Sequence, residues 1–393
     1  MSYERFYFLT RPTEWATPPE KYSFSSLREI AECPYRWQIQ NSKFDGLDRY
    51  PSRPNPAAVE GGIIHSLLEK LFRALACHGM PLIGSETFQK CLGEIDINLA
   101  ISRSIRDYEK RIALNPRCHG FQLISSIQQL RNKVVQIFRD QYDKIRKNTP
   151  PSIIRSSYNT LKKQSFNGVT GNDFAVLLNK NKVLTELTLE HKELPFSGII
   201  DFICLDDEGM KISDFKSGAY KHDHKDQVLL YALLLKSNLQ CLPKEAFIIY
   251  PDRSERVEIN ENIVENAFFG LKDKIYTAKR DLNSVPAKTS LNENCQYCPV
   301  RQLCDQYWVS LSNDPHQVKK PGIVDIEVEV TGIHCNHGFV DTRSDCANLK
   351  IVYETNVAKG LPIITSGERL RILGGKQLAN EIEIMPWTEV FHL

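Results

Sequence analysis

Two aspartates on neighbouring predicted strands carry the clearest chemistry in this sequence. The stretches 198–205 and 210–216 have the composition of strands, and the four acidic and glycine residues between them predict a hairpin turn. Closing an antiparallel hairpin on that turn places Asp201 directly opposite Asp214. Facing carboxylates lie close together and repel one another, so this pair needs a compensating cation.

A divalent metal ion is the cation that fits this pair of carboxylates. Strand alternation puts Lys216 on the same face as Asp214, where an ammonium can contact a metal-bound water and a phosphate oxygen. Oxygen ligands with an open position suit Mg²⁺ or Mn²⁺ rather than a metal that prefers thiolates. A lone Asp-x-Lys motif is more simply explained as solvated strand charges, so the interpretation depends on its neighbours.

One histidine is a candidate third ligand. His65 lies on the largely apolar predicted helix 59–77, behind Gly61 and Gly62, whose missing side chains would permit close backbone approach. A histidine on an apolar helix is more commonly a structural core residue. Together with the hairpin, His65 becomes a plausible ligand through its neutral ring nitrogen.

Polar residues also mark the helix predicted after the hairpin. Gln227 and Tyr231 are four residues apart, so they project from one stripe of an otherwise apolar helix. His222 and His224 precede this helix and can contact phosphate, although a solvated loop is the simpler interpretation.

Four cysteines have the setting of a metal site. Cys295, Cys298 and Cys304 lie in one short loop region, and Cys33 has a comparable setting far upstream. Four thiolates suit Zn²⁺ or an iron–sulfur cluster, and spacing alone leaves both open, with an inert buried thiol as the alternative for Cys33. A site of one early and three late cysteines would close the chain over more than two hundred residues and stabilise the fold.

Length and composition limit the class of protein. The 393 residues exceed what one core usually organises, and 41% hydrophobic with 25% charged residues is typical of a folded chain. No apolar run approaches the roughly 20 residues of a membrane span, and the first ten residues do not resemble a secretory signal, so we expect a cytoplasmic protein without membrane contact. Residues 323–393 contain ten acidic and six basic side chains, which places any nucleic-acid contact in the rest of the chain.

The order of predicted elements indicates an α/β architecture in two parts. A helix over 23–40, interrupted at or near Cys33, and a helical insertion over about 86–180 accompany the strands. Proline, lysine and glycine make 311–322 the best linker candidate. We therefore expect a first domain over 1–310 and a small all-β, OB-like barrel over 323–393.

The order and spacing of these motifs resemble the RecB-type exonucleases of the PD-(D/E)XK superfamily, and more narrowly an iron–sulfur branch with the AddB nuclease domain and CRISPR-associated RecB-like exonucleases. The resemblance covers roughly residues 20–308, with the insertion poorly matched. It departs from the family pattern at Ile200, which replaces the proline of the family name, and at Asp214, which replaces the commoner glutamate. The matching motifs are Ser23-x-Ser25-Ser26-Leu27, Cys33-Pro34-Tyr35-Arg36-Trp37, Gly62-x-x-His65, Gly198-x-x-Asp201, Asp214-Phe-Lys216-Ser-Gly218, Gln227-x-x-x-Tyr231-Ala232 and the late cysteine triplet.

The resemblance implies a restriction-endonuclease-like core with a central mixed sheet, and it implies a role for each site residue. Lys216 would orient or activate the attacking water, and Gln227 and Tyr231 would position the strand. A catalytic Mg²⁺ or Mn²⁺ would be bound by His65, Asp201 and Asp214. A [4Fe-4S] cluster, with Zn²⁺ as the alternative, would be held by Cys33, Cys295, Cys298 and Cys304.

We therefore predict a metal-dependent DNA nuclease that acts as an exonuclease on single-stranded DNA or DNA ends, in DNA repair, recombination or anti-phage defence. The alternative is a non-catalytic DNA-binding or scaffold subunit whose barrel recruits a helicase or a defence-system protein. A barrel that grips single strands is a third option, made less attractive by Asp325, Glu327 and Glu329 along one strand face.

Overall fold

The computed structural model describes most of the chain. The described residues are 9–52, 56–113, 115, 117, 125–148, 183–206, 208–216, 220, 222–250, 253–312, 322–334, 339–344, 348–353, 361–385 and 387–393. The last third of the predicted insertion (149–180), most of the predicted linker (313–321) and Gly218 of the motif after Lys216 lie outside them.

The helix predicted over 23–40, with an interruption at or near Cys33, is divided at that residue into two short helices. Helix α1 (Phe24–Glu32) and helix α2 (Pro34–Asn41) are separated by Cys33, whose backbone is extended. The proline at the first position of α2 explains this break, because the residue before a proline avoids the helical region. The break turns the Cys33 sulfur toward the start of α2, where it accepts a hydrogen bond from the Arg36 backbone N–H at 3.4 Å.

Four helices build a layer on one face of the central sheet. They are α3 (Pro56–Cys77), α4 (Glu86–Glu94), α5 (Ile97–Ala113) and α6 (Ile127–Asn148). Their apolar stripes meet in one core, in which the Phe72 and Phe138 rings stack at 5.6 Å. The same core reaches the sheet through Phe202, Phe215 and Phe247.

The central sheet is mixed, as predicted. It runs in the order β1 (Val183–Glu190), β2 (Ser197–Asp206), β3 (Gly209–Phe215), β4 (Glu245–Ile249) and β5 (Ser254–Val257). Only β3 and β4 pair in parallel, and helix α7 (Asp223–Leu239) makes the crossover that a parallel pair requires. The expected α/β core is thus confirmed.

The second face of the sheet is covered by α1, α7 and helix α8 (Glu261–Asp281). Its core contains Ile203, Ile212 and Ile248 of the sheet and Leu234 of α7, all at most 1% exposed. Apolar residues on both faces explain why the central strands are nearly continuous in apolar composition.

The C-terminal segment forms the predicted barrel. Its strands are β6 (Gly322–His334), β7 (Phe339–Arg343), β8 (Asn348–Tyr353), β9 (Arg369–Leu378), β10 (Glu381–Ile384) and β11 (Glu389–His392). The sheet order is β10-β8-β7-β6-β9-β11, and β9 also pairs with β10, which closes five strands into a barrel. The parallel pairing of β8 with β10 completes the OB-like arrangement.

The acidic strand of the barrel does not form the negative face that the sequence suggested. Asp325 is paired with Arg301, and Glu327 accepts a hydrogen bond from Arg371 at 2.8 Å. Glu329 pairs with Arg343 at 2.9 Å. The prediction was wrong because the arginines that neutralise these carboxylates come from other strands and from residues before the barrel.

Within the described ranges, none of the helices combines the length and the apolar composition that crossing a bilayer would need.

Candidate active site and cysteine cavity

The hairpin that carries the two aspartates has the predicted register. The ladder runs from the pair Asp206–Gly209 at the turn toward the site and ends one pair before Asp201 and Asp214. Beyond that point the Asp201 carboxylate accepts a hydrogen bond from the backbone N–H of Phe215 at 3.3 Å. The Asp201 side chain therefore lies beyond the last backbone pair of the hairpin, at the end of β3. Its carboxylate contacts the backbone of Phe215, the residue after Asp214.

Both carboxylates are buried, and a lysine accompanies them. Asp201 is 9% exposed and Asp214 only 1% exposed. The Lys216 ammonium nitrogen lies 2.8 Å from Oδ2 of Asp214. A buried carboxylate is costly unless a cation or hydrogen-bond donors balance it, so Lys216 stabilises the site as well as placing a positive charge there.

Hydrogen bonds of its backbone and of its ammonium fix the position of Lys216. Its backbone N–H donates to the Ile249 carbonyl at 2.9 Å, which continues the β3–β4 pairing. Its ammonium donates to Oε1 of Gln227 at 3.0 Å, and the Gln227 amide donates in turn to the Tyr231 hydroxyl at 2.6 Å. The sequence placed Gln227 and Tyr231 on one stripe, but it gave no indication that they connect to Lys216.

A glycine brings α7 close enough for this connection. A Cβ on Gly198 would lie 2.9 Å from Cδ1 of Leu234 and 3.5 Å from Cε1 of Tyr231. Only a residue without a side chain allows β2 and α7 to approach so closely here. Gly198 thereby sets the position of the helix that carries Gln227.

The predicted third ligand, His65, comes from the helical layer rather than from the sheet. His65 is an exposed residue of α3. A Cβ on Gly61 or Gly62 would meet no described atom within 4 Å, so the expected close backbone approach was wrong. No group of three or more His, Cys, Asp or Glu side chains among the described residues is placed so that it could hold a metal ion, and the role of His65 stays a prediction.

The four predicted cysteines line one cavity. Cys33 comes from the α1–α2 break, and the others come from the short 3₁₀ turns Glu293–Tyr297 and Arg301–Leu303 and their ends. Chain positions more than 260 residues apart are thus brought together, as the prediction required. The cavity is also lined by Tyr35, Arg36, Arg301 and Tyr307.

The thiols of this cavity are electrostatically coupled. Burial raises the pKa of Cys298 to about 11, with smaller contributions that include Cys33 and Cys304, while the Val300 backbone N–H and Arg36 oppose the shift. Burial likewise raises the pKa of Cys304. Sulfur donors are the ligands that Zn²⁺ and iron–sulfur clusters prefer, and all four line one cavity, but their side chains are not placed here so that they could hold an ion. Binding of either group would displace the thiol protons.

Three solved structures that match this chain are only distantly similar to it. The tetrameric p202 HIN2 structure is 14% identical over 21% of this chain and 46% of its own, which is less than half its length, with a TM-score of 0.18. The structure of SSO0001 is 16% identical over 44% of this chain and 80% of its own, with a TM-score of 0.21. A murine DNA binding protein bound with double-stranded DNA is 11% identical over 54% and 94% of the two chains, with a TM-score of 0.17. Similarities this low support no conclusion about the present chain.

Sequence comparison with protein families is more informative. No curated protein matches the sequence. The sequence model of the PD-(D/E)XK nuclease superfamily, however, matches residues 21–305, well over half of the chain. That range contains the hairpin, Lys216, helix α7 and all four cysteines of the cavity. The chain therefore belongs to the PD-(D/E)XK nuclease superfamily, which implies that it hydrolyses phosphodiester bonds.

Proposed function

We propose that this protein is a metal-dependent deoxyribonuclease that acts as an exonuclease on single-stranded DNA or DNA ends. The observation that carries the proposal is the buried Asp214 with the Lys216 ammonium 2.8 Å from it, at the end of the hairpin that also bears Asp201. The motif pattern that resembles the RecB-type iron–sulfur branch supports the exonuclease mode and a role in DNA repair, recombination or anti-phage defence.

Each residue of the site has its own role in the proposed hydrolysis. Asp201 and Asp214, with His65 as the proposed third ligand, would hold Mg²⁺ or Mn²⁺, ions that polarise a phosphoryl oxygen and lower the pKa of a bound water. Lys216 can donate to a phosphate oxygen and offset the negative charge that builds up on the phosphoryl group. Gln227 fixes the direction of the Lys216 ammonium, and Tyr231 fixes Gln227.

The cysteine cavity has a structural role in this proposal. Cys33, Cys295, Cys298 and Cys304 would hold a [4Fe-4S] cluster, or Zn²⁺ as the alternative. Such a group would join the α1–α2 break to the end of the nuclease core, which restricts the unfolded chain and adds metal-binding free energy to folding. Anaerobic purification separates the two: a brown protein with visible thiolate-to-iron absorption contains iron, and a colourless zinc-containing protein does not.

Metal-dependent cleavage with an Asp214→Asn variant tests the catalytic proposal. Linear and circular single-stranded DNA are incubated with Mg²⁺, with Mn²⁺ and with chelator. We expect the wild type to degrade linear DNA only with metal and to spare the circle, and Asp214→Asn to lose at least about a hundredfold in rate, because it removes a metal ligand and the charge partner of Lys216. Asp273→Asn, at an exposed position of α8, is the matched control and should keep full activity. Equal cleavage by Asp214→Asn would contradict the assignment, and cutting of the circle would contradict the exonuclease mode.

The alternative is a non-catalytic DNA-binding or scaffold subunit that recruits a helicase or defence-system protein through the barrel. The OB-like topology of strands β6–β10 is the observation in its favour, since such barrels commonly bind oligonucleotides. A wild-type protein that binds DNA and shows no metal-dependent cleavage would support this alternative.

A further inference from the structure

A cluster of aromatic and basic side chains lies beside the carboxylates and has no part in the proposed hydrolysis. It begins at Tyr250, which follows β4 directly. Because β3 and β4 pair in parallel with Phe215 opposite Ile249, Tyr250 lies at the same sheet edge as Lys216. Burial, with smaller contributions that include the charge of Asp214, raises the pKa of Tyr250 to about 12, which agrees with this proximity.

Helix α7 connects this cluster to the active site. His224 precedes Gln227 by three residues and Tyr231 by seven, so the three side chains share one stripe of the helix. Nδ1 of His224 lies 2.9 Å from the Tyr250 hydroxyl, and the two rings stack at 5.8 Å. The helix therefore binds the end of β4 through His224 as it binds the end of β3 through Gln227.

An arginine lies on the outer side of the cluster in a fixed orientation. The Arg253 guanidinium is 5.0 Å from the ring centre of Tyr220 and 5.3 Å from that of Tyr250. The Tyr250 backbone N–H donates to the Arg253 carbonyl at 2.8 Å, which closes the turn between β4 and β5. Tyr220 contacts Nδ1 of His222 through its hydroxyl at 3.1 Å. Two rings thus orient a guanidinium that is itself exposed to solvent.

The neighbouring carboxylates already have other partners. Glu255 pairs with Lys225 at 2.5 Å, and Asp223 pairs with Arg28 at 3.1 Å. Among the described residues, no carboxylate forms an ion pair with Arg253. As far as the described residues go, its guanidinium is therefore available to an anion that approaches the same sheet edge as the catalytic residues.

We propose that Arg253 binds a backbone phosphate of the substrate strand next to the phosphate that is cleaved, with Tyr220 and Tyr250 holding its guanidinium in place. A guanidinium can bind the oxygens of a phosphate with two parallel hydrogen bonds, and the stacking rings reduce the freedom it loses on binding. This inference rests on the proposed nuclease function, because it takes the substrate to be a nucleic-acid strand.

The salt dependence of binding distinguishes a phosphate contact from a structural role. Binding of a fluorescent single-stranded oligonucleotide is measured with chelator present, so that no cleavage occurs, at about 50 to 200 mM salt. Each phosphate contact on a single strand contributes about 0.7 to the slope of log affinity against log salt. We expect Arg253→Ala to weaken binding roughly tenfold and to lower that slope by about 0.7. Arg256→Ala, an exposed arginine three residues away, should keep the wild-type slope.

Steady-state cleavage with metal provides a second readout. Arg253→Ala should raise KM roughly tenfold and leave kcat nearly unchanged, since Arg253 does not contact the reacting atoms. Tyr220→Phe keeps the ring and should behave as the wild type, whereas Tyr220→Leu should weaken binding in the same direction as Arg253→Ala. Thermal unfolding of every variant confirms that each one is folded.

The outcomes separate the two proposals. If the wild type cleaves DNA and Arg253→Ala keeps both its salt slope and its KM, the phosphate contact is overturned and the nuclease function stands. If the wild type binds DNA without cleaving it, the nuclease function fails, while a lower slope for Arg253→Ala still supports the contact. Equal slopes for the wild type, Arg253→Ala and Arg256→Ala overturn it in either case.

Discussion

At the scale of single residues, the charge of Asp214 links the stability of the site to its chemistry. The carboxylate is 1% exposed, and Lys216 is the cation 2.8 Å from it. Removing the ammonium leaves a buried carboxylate without that partner. Breaking a buried ion pair destabilises a protein because it leaves such an uncompensated charge. A divalent cation bound to the same carboxylate would restore part of the lost balance.

We therefore expect Lys216→Met to unfold more easily and to respond more strongly to metal. In chelator its free energy of unfolding should fall by roughly 1–3 kcal/mol, and added Mg²⁺ should raise its Tm more than it raises that of the wild type. Its cleavage rate should fall roughly a hundredfold. Lys236→Met is the control: it breaks an exposed ion pair between α7 and Glu261 of α8 and should change the free energy by less than about 0.5 kcal/mol. An equal rise in Tm with Mg²⁺ in the wild type and Lys216→Met would contradict the expectation that a bound metal ion compensates the Asp214 carboxylate.

The raised pKa of Cys298 predicts a pH dependence of stability for protein stripped of metal. A thiol whose pKa rises from 9.0 to about 11 on folding stabilises the fold below pH 9, and that stability is lost as the pH rises toward 11. Between pH 8 and pH 11, urea unfolding of the wild type should lose about 1–2 kcal/mol more than that of Cys298→Ser. Protein with its metal bound should lack this difference, because ligated sulfurs are already thiolates. Parallel pH profiles of the two stripped proteins would refute the prediction.

At the scale of elements, part of the site could be predicted from the sequence and part could not. The register of the β2–β3 hairpin follows from the length of its turn, because strand pairing is fixed once the turn is fixed. The contact between Gln227 and Lys216 depends on how α7 packs on the sheet, which no local pattern records. Strand β5 was missed because Ser254–Val257 is a short, polar edge segment.

Helix α8 was also missed, although its signal is present. Val264, Leu271, Ile275 and Ala278 are buried and recur at helical spacing.

The cysteines show the opposite case. The late triplet indicates a metal site by itself, and the comparable setting of Cys33 made it a candidate fourth member; their meeting is a long-range contact that no local pattern records.

The close packing of α7 on β2 gives a prediction at the same scale. Gly198→Ala would place a Cβ 2.9 Å from Cδ1 of the fully buried Leu234 and would push the helix that carries Gln227 away from Lys216. We expect a loss of about 1–3 kcal/mol in the free energy of unfolding and a lower cleavage rate. Gly270→Ala is the matched control: its Cβ would meet nothing within 4 Å inside helix α8, so it should stabilise the protein by about 0.5–1 kcal/mol. Full activity of Gly198→Ala would show that α7 tolerates displacement.

At the scale of the whole molecule, the barrel is built into the cysteine region. Leu373 and Phe391 of the barrel pack in one core with Cys33, Cys304 and Trp308. Arg117, which lies between α5 and α6 and whose side chain is 2% exposed, forms a salt bridge with Glu389 of β11 at 2.8 Å. These contacts argue against a barrel that acts only as a detachable adaptor, because deleting residues 323–393 would uncover the apolar side of the cysteine cavity.

Asp325 of the barrel contacts residues at the cysteine cavity, so its substitution should show most clearly whether the cavity depends on the barrel. Its carboxylate pairs with Arg301, which lines the cysteine cavity, and accepts hydrogen bonds from the Tyr307 hydroxyl at 2.8 Å and the Gly374 N–H at 2.7 Å. Because the Asp325 side chain is only 6% exposed, Asp325→Ala would leave a largely buried arginine without its partner, at a cost of roughly 3–5 kcal/mol.

We expect Asp325→Ala to lower the Tm and to release the metal proposed for the cysteine cavity faster, measured by the loss of iron absorbance or by transfer of zinc to an indicator. Glu329→Ala is the matched control on the same strand, since its ion pair with Arg343 is exposed and worth at most about 1 kcal/mol. If both variants hold the metal as the wild type does, the barrel and the cysteine cavity are energetically independent. If only Asp325→Ala loses it, the barrel supports the cysteine cavity through Arg301 and Tyr307, and a truncated nuclease core would be the wrong preparation in which to assay cleavage.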